Sequence, residues 1–177
     1  MNDKKISKFL SLVLRHRPKV IGLQLDDQGW AEVPDLLEKM KIKGINLDLT
    51  ALIQLVDTND KQRFKLSKNF KKIRANQGHS LPIDLAIKSK EPPSVLFHGT
   101  ATRFLTSIKE NGLLKMNRQH VHLSTDHLTA KKVGERHGKP LILTIDTKRM
   151  FQNGKAFYLS ENGVWLTDSV PFQYIKF

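Results

Sequence analysis

The stretch Lys88-Ser89-Lys90-Glu91-Pro92-Pro93-Ser94 divides this sequence of 177 residues into two halves with different patterns. The stretch is polar and holds two adjacent prolines, which is typical of a linker between domains. Helical periodicity dominates before it and strand-like segments dominate after it. The length allows one ordinary domain or two small ones. We therefore predict an α+β protein with two domains, residues 1–90 and 91–177.

Toward the N-terminus, the pattern predicts three helices and a hairpin. The first helix ends near Arg17, because Pro18 disfavours helical backbone in the residue before it. Its apolar residues recur at intervals of three and four: Ile6, Phe9, Leu10, Val13 and Leu14. The second helix begins near Pro34 and the third after Asn46 or Asp48. The predicted buried face of the third helix holds Leu49, Leu52, Ile53 and Val56. With a hairpin over 63–67 and 71–75, this is the order of a winged helix-turn-helix module.

Toward the C-terminus, short strands are predicted with short helices between them. The predicted strands are 95–98, 120–124, 141–145, 156–160, 164–167 and 172–177. The predicted helices cover 103–111, which Gly112 closes, and 126–137, which Gly138 follows. This half is therefore predicted to be mostly β.

Positive charge is the main feature of the composition. Lys and Arg number 30 against 17 Asp and Glu, which gives a net charge of +13. Residues 1–90 contribute +8 and residues 91–177 contribute +5. This excess favours a polyanionic partner such as nucleic acid, an acidic membrane surface or a phosphorylated ligand. The absence of cysteine excludes disulfides, thiolate zinc sites and a cysteine nucleophile.

No membrane span is predicted, because no apolar run approaches 18 residues. Lys8 and Arg15 interrupt the apolar N-terminal stretch, which indicates a helix and not a signal peptide. We therefore expect a cytoplasmic protein. Walker, G-x-G-x-x-G, G-x-S-x-G and H-E-x-x-H motifs do not occur in the sequence.

Two polar clusters in the first half are candidates for anion binding. Arg15, His16 and Arg17 end the first helix, where they either bind an anion or offset the helix dipole. The segment 73–80 offers several donors around Gly78, as a phosphate or sugar site requires, although such loops also occur as plain turns. The polar residues of this segment include Arg74, Gln77, His79 and Ser80.

Two further clusters lie in the second half. Gly99 follows His98 at a predicted strand end and lets a ligand approach the backbone closely. Strand alternation is predicted to place Arg118, His120 and His122 on one face. A zinc site here would need further ligands from His98 or from carboxylates. The ordinary alternative for each imidazole is a stacked or core position, and we predict no bound metal.

Six motifs in order, over nearly the whole chain, make this sequence similar to the NAD-dependent RNA 2′-phosphotransferases. This family removes the splice-junction 2′-phosphate from tRNA. The motifs are Leu14-Arg15-His16, Asn59-Asp60-Lys61-Gln62-Arg63-Phe64, Gln77-Gly78-His79-Ser80, His98-Gly99-Thr100, Arg118-x-His120-Val121-His122-Leu123-Ser124 and Asn162-Gly163-Val164-Trp165-Leu166. The resemblance implies an N-terminal winged-helix lobe that binds RNA and a C-terminal lobe of the ADP-ribosyltransferase fold that binds NAD+.

The resemblance also implies a reaction in two steps. The RNA 2′-phosphate attacks the anomeric carbon of the nicotinamide-bearing ribose, expels nicotinamide and gives a 2′-phospho-ADP-ribosylated RNA. The ribose 2″-hydroxyl then attacks that phosphorus. The products are ADP-ribose 1″,2″-cyclic phosphate and RNA with a 2′-hydroxyl. NAD+ would thus be a co-substrate.

A catalytic tetrad falls, by the resemblance, on Arg15, His16, Arg63 and Arg118. Our hypothesis is that the three arginines clamp the phosphate and that His16 binds it and transfers a proton. The residues expected to bind NAD+ are His98, Gly99, Thr100, His122, Ser124, Gly134 and Arg136. The residues expected to contact RNA are Arg74, Gln77, His79 and Ser80.

The sequence departs from the protein-modifying ADP-ribosyltransferases at Val164, where those enzymes usually place a glutamate. A phosphate nucleophile is already anionic at pH 7 and needs no base. The nearby Glu161 is predicted to lie in a turn and is given no role.

Two alternatives stay open. One is a non-catalytic winged-helix regulator that binds nucleic acid. The other is an ADP-ribosyltransferase that acts on terminal nucleic-acid phosphates or on protein. The partners that we predict are NAD+ and an RNA with an internal 2′-phosphate, such as a tRNA. We expect a monomer.

Overall fold

The computed structural model describes residues 3–177 and divides the chain into two compact units, Met1–Ala86 and Ile87–Phe177. The division falls four residues before the predicted boundary. The backbone N–H of Lys90 donates to the carbonyl oxygen of Phe157 at 2.8 Å, and Ser89 pairs with Tyr158. The segment predicted as a linker is therefore hydrogen-bonded into the second unit.

The first helix of the first unit, α1 (Asp3–Arg15), follows the predicted stripe. Ile6, Leu10, Val13 and Leu14 are buried, and Phe9 packs against the same core from a half-buried position. A 3-10 helix, Pro18–Ile21, begins directly at the proline that was predicted to end α1. The predicted helix end is therefore confirmed, and His16 follows the last helical residue.

Two more helices, α2 (Val33–Ile42) and α3 (Leu49–Asp57), complete the helical part of the first unit. The Asp48 side chain caps α3, accepting from the Ala51 N–H at 2.7 Å. The predicted buried face of α3 was wrong at Leu49, which is 41% exposed. Leu52, Leu55 and Val56 form the buried face, since the core covers α3 only after its first turn.

An antiparallel sheet packs with these helices. It contains β1 (Ala31–Glu32), β2 (Phe64–Leu66) and β3 (Lys72–Ala75) in the order β1-β3-β2. Phe64 pairs with Ala75, so the predicted hairpin is confirmed. This unit mixes helix and sheet, and its assignment as a winged helix stays a prediction.

The second unit is richer in β-structure. Its helices within the described residues are α4 (Leu105–Asn111), α5 (His127–Gly134) and α6 (Thr147–Gln152). Its strands there are β4 (Val95–Ala101), β5 (Leu113–Leu114), β6 (Val121–Leu123), β7 (Pro140–Asp146), β8 (Tyr158–Leu159), β9 (Trp165–Thr167), β10 (Ser169–Val170) and β11 (Ile175–Lys176). The predicted strand 172–177 was wrong over Phe172–Tyr174, which form a 3-10 helix.

These strands pair antiparallel in three groups, ordered β11-β7-β4, β6-β9-β8 and β10-β5. A bridge between Phe97 on β4 and Ser124, just past β6, brings two of these groups side by side. Both of their N–H groups donate to the partner's carbonyl oxygen at 2.8 Å. His98 directly follows the bridge residue Phe97, and His122 lies two positions before the bridge residue Ser124. The bridge therefore places His98 and His122 close together.

Helix α5 lies directly on β4 because two glycines let the backbones touch. A Cβ atom on Gly99 would overlap the carbonyl oxygen of Ala130 on α5. A Cβ atom on Gly134 would lie 2.5 Å from the carbonyl oxygen of Thr100 on β4. Side chains larger than hydrogen at either position would force the helix off the strand.

Across residues 3–177, no helix is both long enough and apolar enough to cross a lipid bilayer.

Candidate active site

The C-terminal end of α1 meets the segment 77–80 in the first unit. The backbone N–H of Ser80 donates to the carbonyl oxygen of Arg15 at 3.0 Å. The Ser80 Oγ lies 3.0 Å from the Nδ1 atom of His16. Gly78, with φ of +86°, passes beside the Arg15 guanidinium, and a Cβ there would lie 3.6 Å from Nη1. This segment therefore fixes both Arg15 and His16 at the end of their helix.

Arg63 joins the same group at the start of the hairpin. Arg15 Nη2 donates to the Arg63 carbonyl oxygen at 3.4 Å, across 48 residues of sequence. The Asn59 side chain accepts from the Arg63 backbone N–H at 3.2 Å and from its Nη1 at 3.3 Å. A carboxylate oxygen of Asp60 lies 3.7 Å from the same Nη1. The first unit thus brings together three of the four predicted catalytic residues.

A strained turn sets the direction of Arg63. Gln62, the residue before it, has φ of +41°, a left-handed backbone that is unfavourable for a residue with a side chain. Asn76 holds this turn with two hydrogen bonds. Its Nδ2 donates to the Gln62 carbonyl oxygen at 2.6 Å, and its backbone N–H donates to the Arg63 carbonyl oxygen at 2.9 Å. Asn59, which precedes β2, and Asn76, which follows β3, therefore hold Arg63 at the open end of the hairpin.

Sequence reasoning assigned no role to Asn59 or Asn76, although both lie in quoted segments. The signal was available, because an amide close to a turn commonly binds backbone groups. What the pattern could not give is the register of the predicted hairpin, which sets Phe64 opposite Ala75 and so brings Asn76 to the Arg63 carbonyl oxygen.

Two of the four predicted RNA-binding residues are buried. Arg74 is 9% exposed, and its guanidinium carbon lies 4.7 Å from the centre of the Trp30 ring, a cation–π contact. His79 is 1% exposed. Gln77 is half-buried and Ser80 is exposed. Arg74 and His79 are therefore better placed to support the site than to contact RNA, whereas Gln77 and Ser80 are accessible.

His79 is neutral at physiological pH. Burial, first, and then the positive charges of Arg15, His16 and Arg74 lower the pKa of His79 to about 4. Neither ring nitrogen has a hydrogen-bond partner among the residues that the structure describes. The cluster around Arg15 thus contains an imidazole that adds no charge to it.

This pKa predicts an acid-dependent loss of stability. Between pH 6.5 and about 4 the unfolded chain binds a proton at His79 and the folded chain does not, so the free energy of unfolding falls as the pH is lowered through this range. Replacing His79 with leucine is expected to remove about 3 kcal/mol of this pH dependence. Urea unfolding at pH 7, 5.5 and 4 measures it, with the exposed His137→Gln variant as control. Equal pH dependence in the wild type and His79→Leu would contradict the prediction.

The second unit brings together three more predicted site residues. The Nδ1 of His98 lies 2.9 Å from the carbonyl oxygen of His122 and must donate, because a carbonyl only accepts. Nη1 of Arg118 donates to the Nδ1 of His122 at 3.2 Å. A continuous set of contacts therefore runs from Arg118 through His122 to His98.

Local electrostatics define the protonation of two of these groups. Burial lowers the pKa of His98, with the carbonyl of His122 opposing it and the charge of Arg118 adding to it. His98 is therefore neutral at pH 7, with its proton on Nδ1 and an acceptor lone pair on Nε2. Loss of solvation and the charge of Arg136 lower the pKa of Arg118, although the residue is exposed. Arg118 nevertheless stays cationic, since its ordinary pKa is so high.

The predicted alternation of Arg118, His120 and His122 was wrong. Only His122 lies in β6, and Arg118 and His120 lie in the bends before it. The His120 ring instead faces the Tyr158 ring, with 5.7 Å between their centres. The Arg118 side chain still contacts His122, but the loop before β6 positions it and strand alternation does not.

The other residues predicted to bind NAD+ have structural partners. Gly99 and Gly134 form the contact between β4 and α5, so the helix already occupies the Cβ side of Gly99. Thr100 is 7% exposed. The Ser124 Oγ accepts from the Asp126 N–H and donates to its carbonyl oxygen, each at 3.1 Å. Their role in binding NAD+ stays a prediction, as does that of the exposed Arg136.

Within residues 3–177, no group of three or more His, Asp or Glu side chains is arranged to hold a metal ion. The H-x-H pair shows why: His120 turns to Tyr158, while His122 accepts from Arg118.

The cluster in the first unit suits a phosphate. Two guanidinium groups and an imidazole offer charge-assisted, directional donors, and guanidinium can bind two phosphate oxygens at once. At about 4 Å and an effective dielectric constant near 20, each cation–anion contact contributes roughly 4 kcal/mol before desolvation is counted. The arrangement can therefore bind a phosphate and stabilise charge that develops on it.

Comparisons with known proteins place the chain in a family. Residues 1–169 match the sequence model of the RNA 2′-phosphotransferase, Tpt1 / KptA family. A probable RNA 2′-phosphotransferase of Flavobacterium johnsoniae is 55% identical over 174 residues, covering 98% of this chain and 96% of the relative. That of Agrobacterium fabrum is 56% identical over 169 residues, covering 96% and 91%. That of Fusobacterium nucleatum is 50% identical over 177 residues, covering 99% of both. The resemblance seen in the six motifs is confirmed, and the chain belongs to the RNA 2′-phosphotransferase family.

Proposed function

We propose that this protein removes an internal 2′-phosphate from RNA by transferring it to NAD+. Membership of the family supports RNA 2′-phosphotransferase activity and an RNA substrate. The observation that carries the finer proposal is the grouping of Arg15, His16 and Arg63 in the first unit. The proposed products are nicotinamide, ADP-ribose 1″,2″-cyclic phosphate and RNA with a 2′-hydroxyl.

The first unit acts, in this proposal, on the phosphate. Arg15 and Arg63 bind its oxygens and stabilise the charge that increases when the ribose 2″-hydroxyl attacks phosphorus. His16 both binds the phosphate and transfers a proton, because imidazole is the group of this set that titrates near neutral pH. The resemblance assigns the fourth catalytic role to Arg118 of the second unit.

The donor set of the second unit fits NAD+. Neutral His98 presents Nε2 as an acceptor, which suits a ribose hydroxyl or the amide N–H of the nicotinamide. Arg136, whose charge acts on Arg118, supplies positive charge for the NAD+. When bound, NAD+ supplies the electrophilic ribose carbon that the RNA 2′-phosphate attacks. The residues of this unit orient that ribose and exclude competing nucleophiles such as water.

The segment around Val164 supports a phosphate acceptor. Glu161 lies in a turn, as predicted, and the turn is closed by the Gly163 N–H donating to the Ser160 carbonyl oxygen at 2.9 Å. The Val164 N–H donates to the Ser160 Oγ at 3.0 Å. By the resemblance, Val164 stands where the protein-modifying ADP-ribosyltransferases carry the glutamate that activates a neutral acceptor. An anionic phosphate needs no such activation.

Mass analysis of one reaction tests this function. The protein is incubated with NAD+ and an oligoribonucleotide that carries one internal 2′-phosphate. We expect the RNA to lose one phosphate and ADP-ribose cyclic phosphate and nicotinamide to form in equal amounts. One control reaction omits NAD+. The other control reactions use an RNA that carries only a 2′-hydroxyl, a 5′-phosphate or a 3′-phosphate. Loss of phosphate without NAD+, or ADP-ribose left on a terminal phosphate, would replace this proposal with hydrolysis or with terminal ADP-ribosylation.

A further inference from the structure

We propose that Ser80 is a positioning residue, which holds the His16 imidazole in one orientation through both of its protonation states. This inference rests on the proposed function, in which His16 binds the phosphate and transfers a proton. Sequence reasoning predicted an RNA contact for Ser80 instead. If Ser80 positions His16, loss of the hydroxyl lowers kcat. If Ser80 contacts RNA, loss of the hydroxyl raises the KM for the RNA.

Ser80 fastens two consecutive residues at the end of α1. Its N–H donates to the carbonyl oxygen of Arg15, and its Oγ lies against the Nδ1 of His16, both at 3.0 Å. The backbone N–H of His16 still donates to the Leu12 carbonyl oxygen at 3.0 Å, but α1 ends at Arg15, so no further turn of helix packs around the imidazole. A partner 64 residues away in sequence therefore fixes the rotation of the imidazole.

A hydroxyl suits this position because it both donates and accepts. When His16 is neutral, the Ser80 hydroxyl donates to Nδ1 and the ring proton lies on Nε2. When His16 is an imidazolium, Nδ1–H donates to the Ser80 oxygen. Rotation of one O–H bond keeps the contact through the change of charge, so the ring does not move when its proton does.

The neighbouring His79 anchors Ser80. The His79 side chain is 1% exposed, and a Cβ on the buried Gly29 would lie 3.4 Å from its Nε2. Its two ring nitrogens lack hydrogen-bond partners among residues 3–177, so shape and not hydrogen bonding holds it there. The buried His79 therefore fixes the backbone at the exposed Ser80, whose N–H and Oγ contact the end of α1.

Two variants of Ser80 and a matched serine test the proposal. We expect Ser80→Ala to lower kcat for 2′-phosphate removal by about 10-fold, with the KM for the RNA unchanged. Ser80→Thr keeps the hydroxyl and is expected to restore most of kcat. The control is Ser67→Ala, which removes a hydroxyl that donates to Asn69 at 2.8 Å in the turn at the other end of the hairpin. Melting curves of all variants exclude unfolding.

Nitrogen NMR of the imidazole gives a second readout that needs no activity. In the wild type at neutral pH, the His16 signals, assigned by their loss in His16→Gln, are expected to show one tautomer with the proton on Nε2. Ser80→Ala is expected to show a mixture of tautomers. A single unchanged tautomer in Ser80→Ala, or a raised KM with unchanged kcat, would overturn the proposal. Wild-type protein that shows the tautomer but no activity on 2′-phosphorylated RNA would instead overturn the proposed function.

Discussion

Replacing Arg15 with alanine is expected to slow the removal of the RNA 2′-phosphate by about 100- to 1,000-fold. The guanidinium is already oriented by the Arg63 carbonyl oxygen and by the passage of Gly78, so its loss removes a preorganised donor. We expect the slower step to be the attack on phosphorus, so that 2′-phospho-ADP-ribosylated RNA accumulates. Single-turnover reactions, stopped at intervals and separated by gel, measure both steps.

The matched control for this experiment is Arg17→Ala. Arg17 is exposed and lies two residues away, at the same end of the helix. If the basic residues there only offset the helix dipole, the two alanine variants would behave alike. We expect Arg17→Ala to keep nearly full activity. If the ADP-ribosylated RNA accumulated in none of the alanine variants at Arg15, His16, Arg63 and Arg118, the proposed division of roles would be wrong.

Replacing Gly99 with alanine is expected to destabilise the second unit by at least about 3 kcal/mol. The backbone of Gly99 is not in the left-handed region, so alanine is acceptable there on conformational grounds. The added methyl group, however, overlaps the carbonyl oxygen of Ala130, and a helix backbone cannot yield as a side chain can. Urea unfolding followed by the fluorescence of buried Trp165, in a Trp30→Phe background, measures the loss.

Gly154→Ala serves as the control for this variant. Gly154 has φ of +78° and no atom within 4 Å of a Cβ, so alanine there tests backbone strain without a steric clash. We expect a cost of about 1 kcal/mol. A Gly99→Ala variant no less stable than Gly154→Ala would show that α5 moves away from β4 at little cost.

Local patterns predicted much of the first unit. The stripe in α1, the stop at Pro18 and the hairpin depend on periodicity and on backbone chemistry within a few residues, and all three were found. Leu49 was mispredicted because periodicity gives the face of a helix but not how far the core extends along it. Helix α6 was missed because it follows β7 directly, with Asp146 serving as the last residue of the strand and the cap of the helix.

The contacts within the candidate site could not be predicted from sequence patterns. The contacts of Arg15 with Arg63 and of His16 with Ser80 span 48 and 64 residues of sequence, so no spacing rule predicts them. The resemblance to a family supplied the list of residues, and the fold supplied their partners. Neither the patterns nor the resemblance indicated that Arg74 and His79, which are predicted to contact RNA, are buried side chains.

The glycine contact between α5 and β4 bears on the freedom of His98, a residue that we propose binds NAD+. Because the strand lies backbone to backbone with a helix on one side and pairs with β7, His98 has little freedom to shift. Its segment loses conformational entropy when the chain folds, before any ligand arrives. Under the proposed function, the ribose of NAD+ would meet an imidazole of fixed position, so that less of the binding free energy would be consumed in ordering the protein.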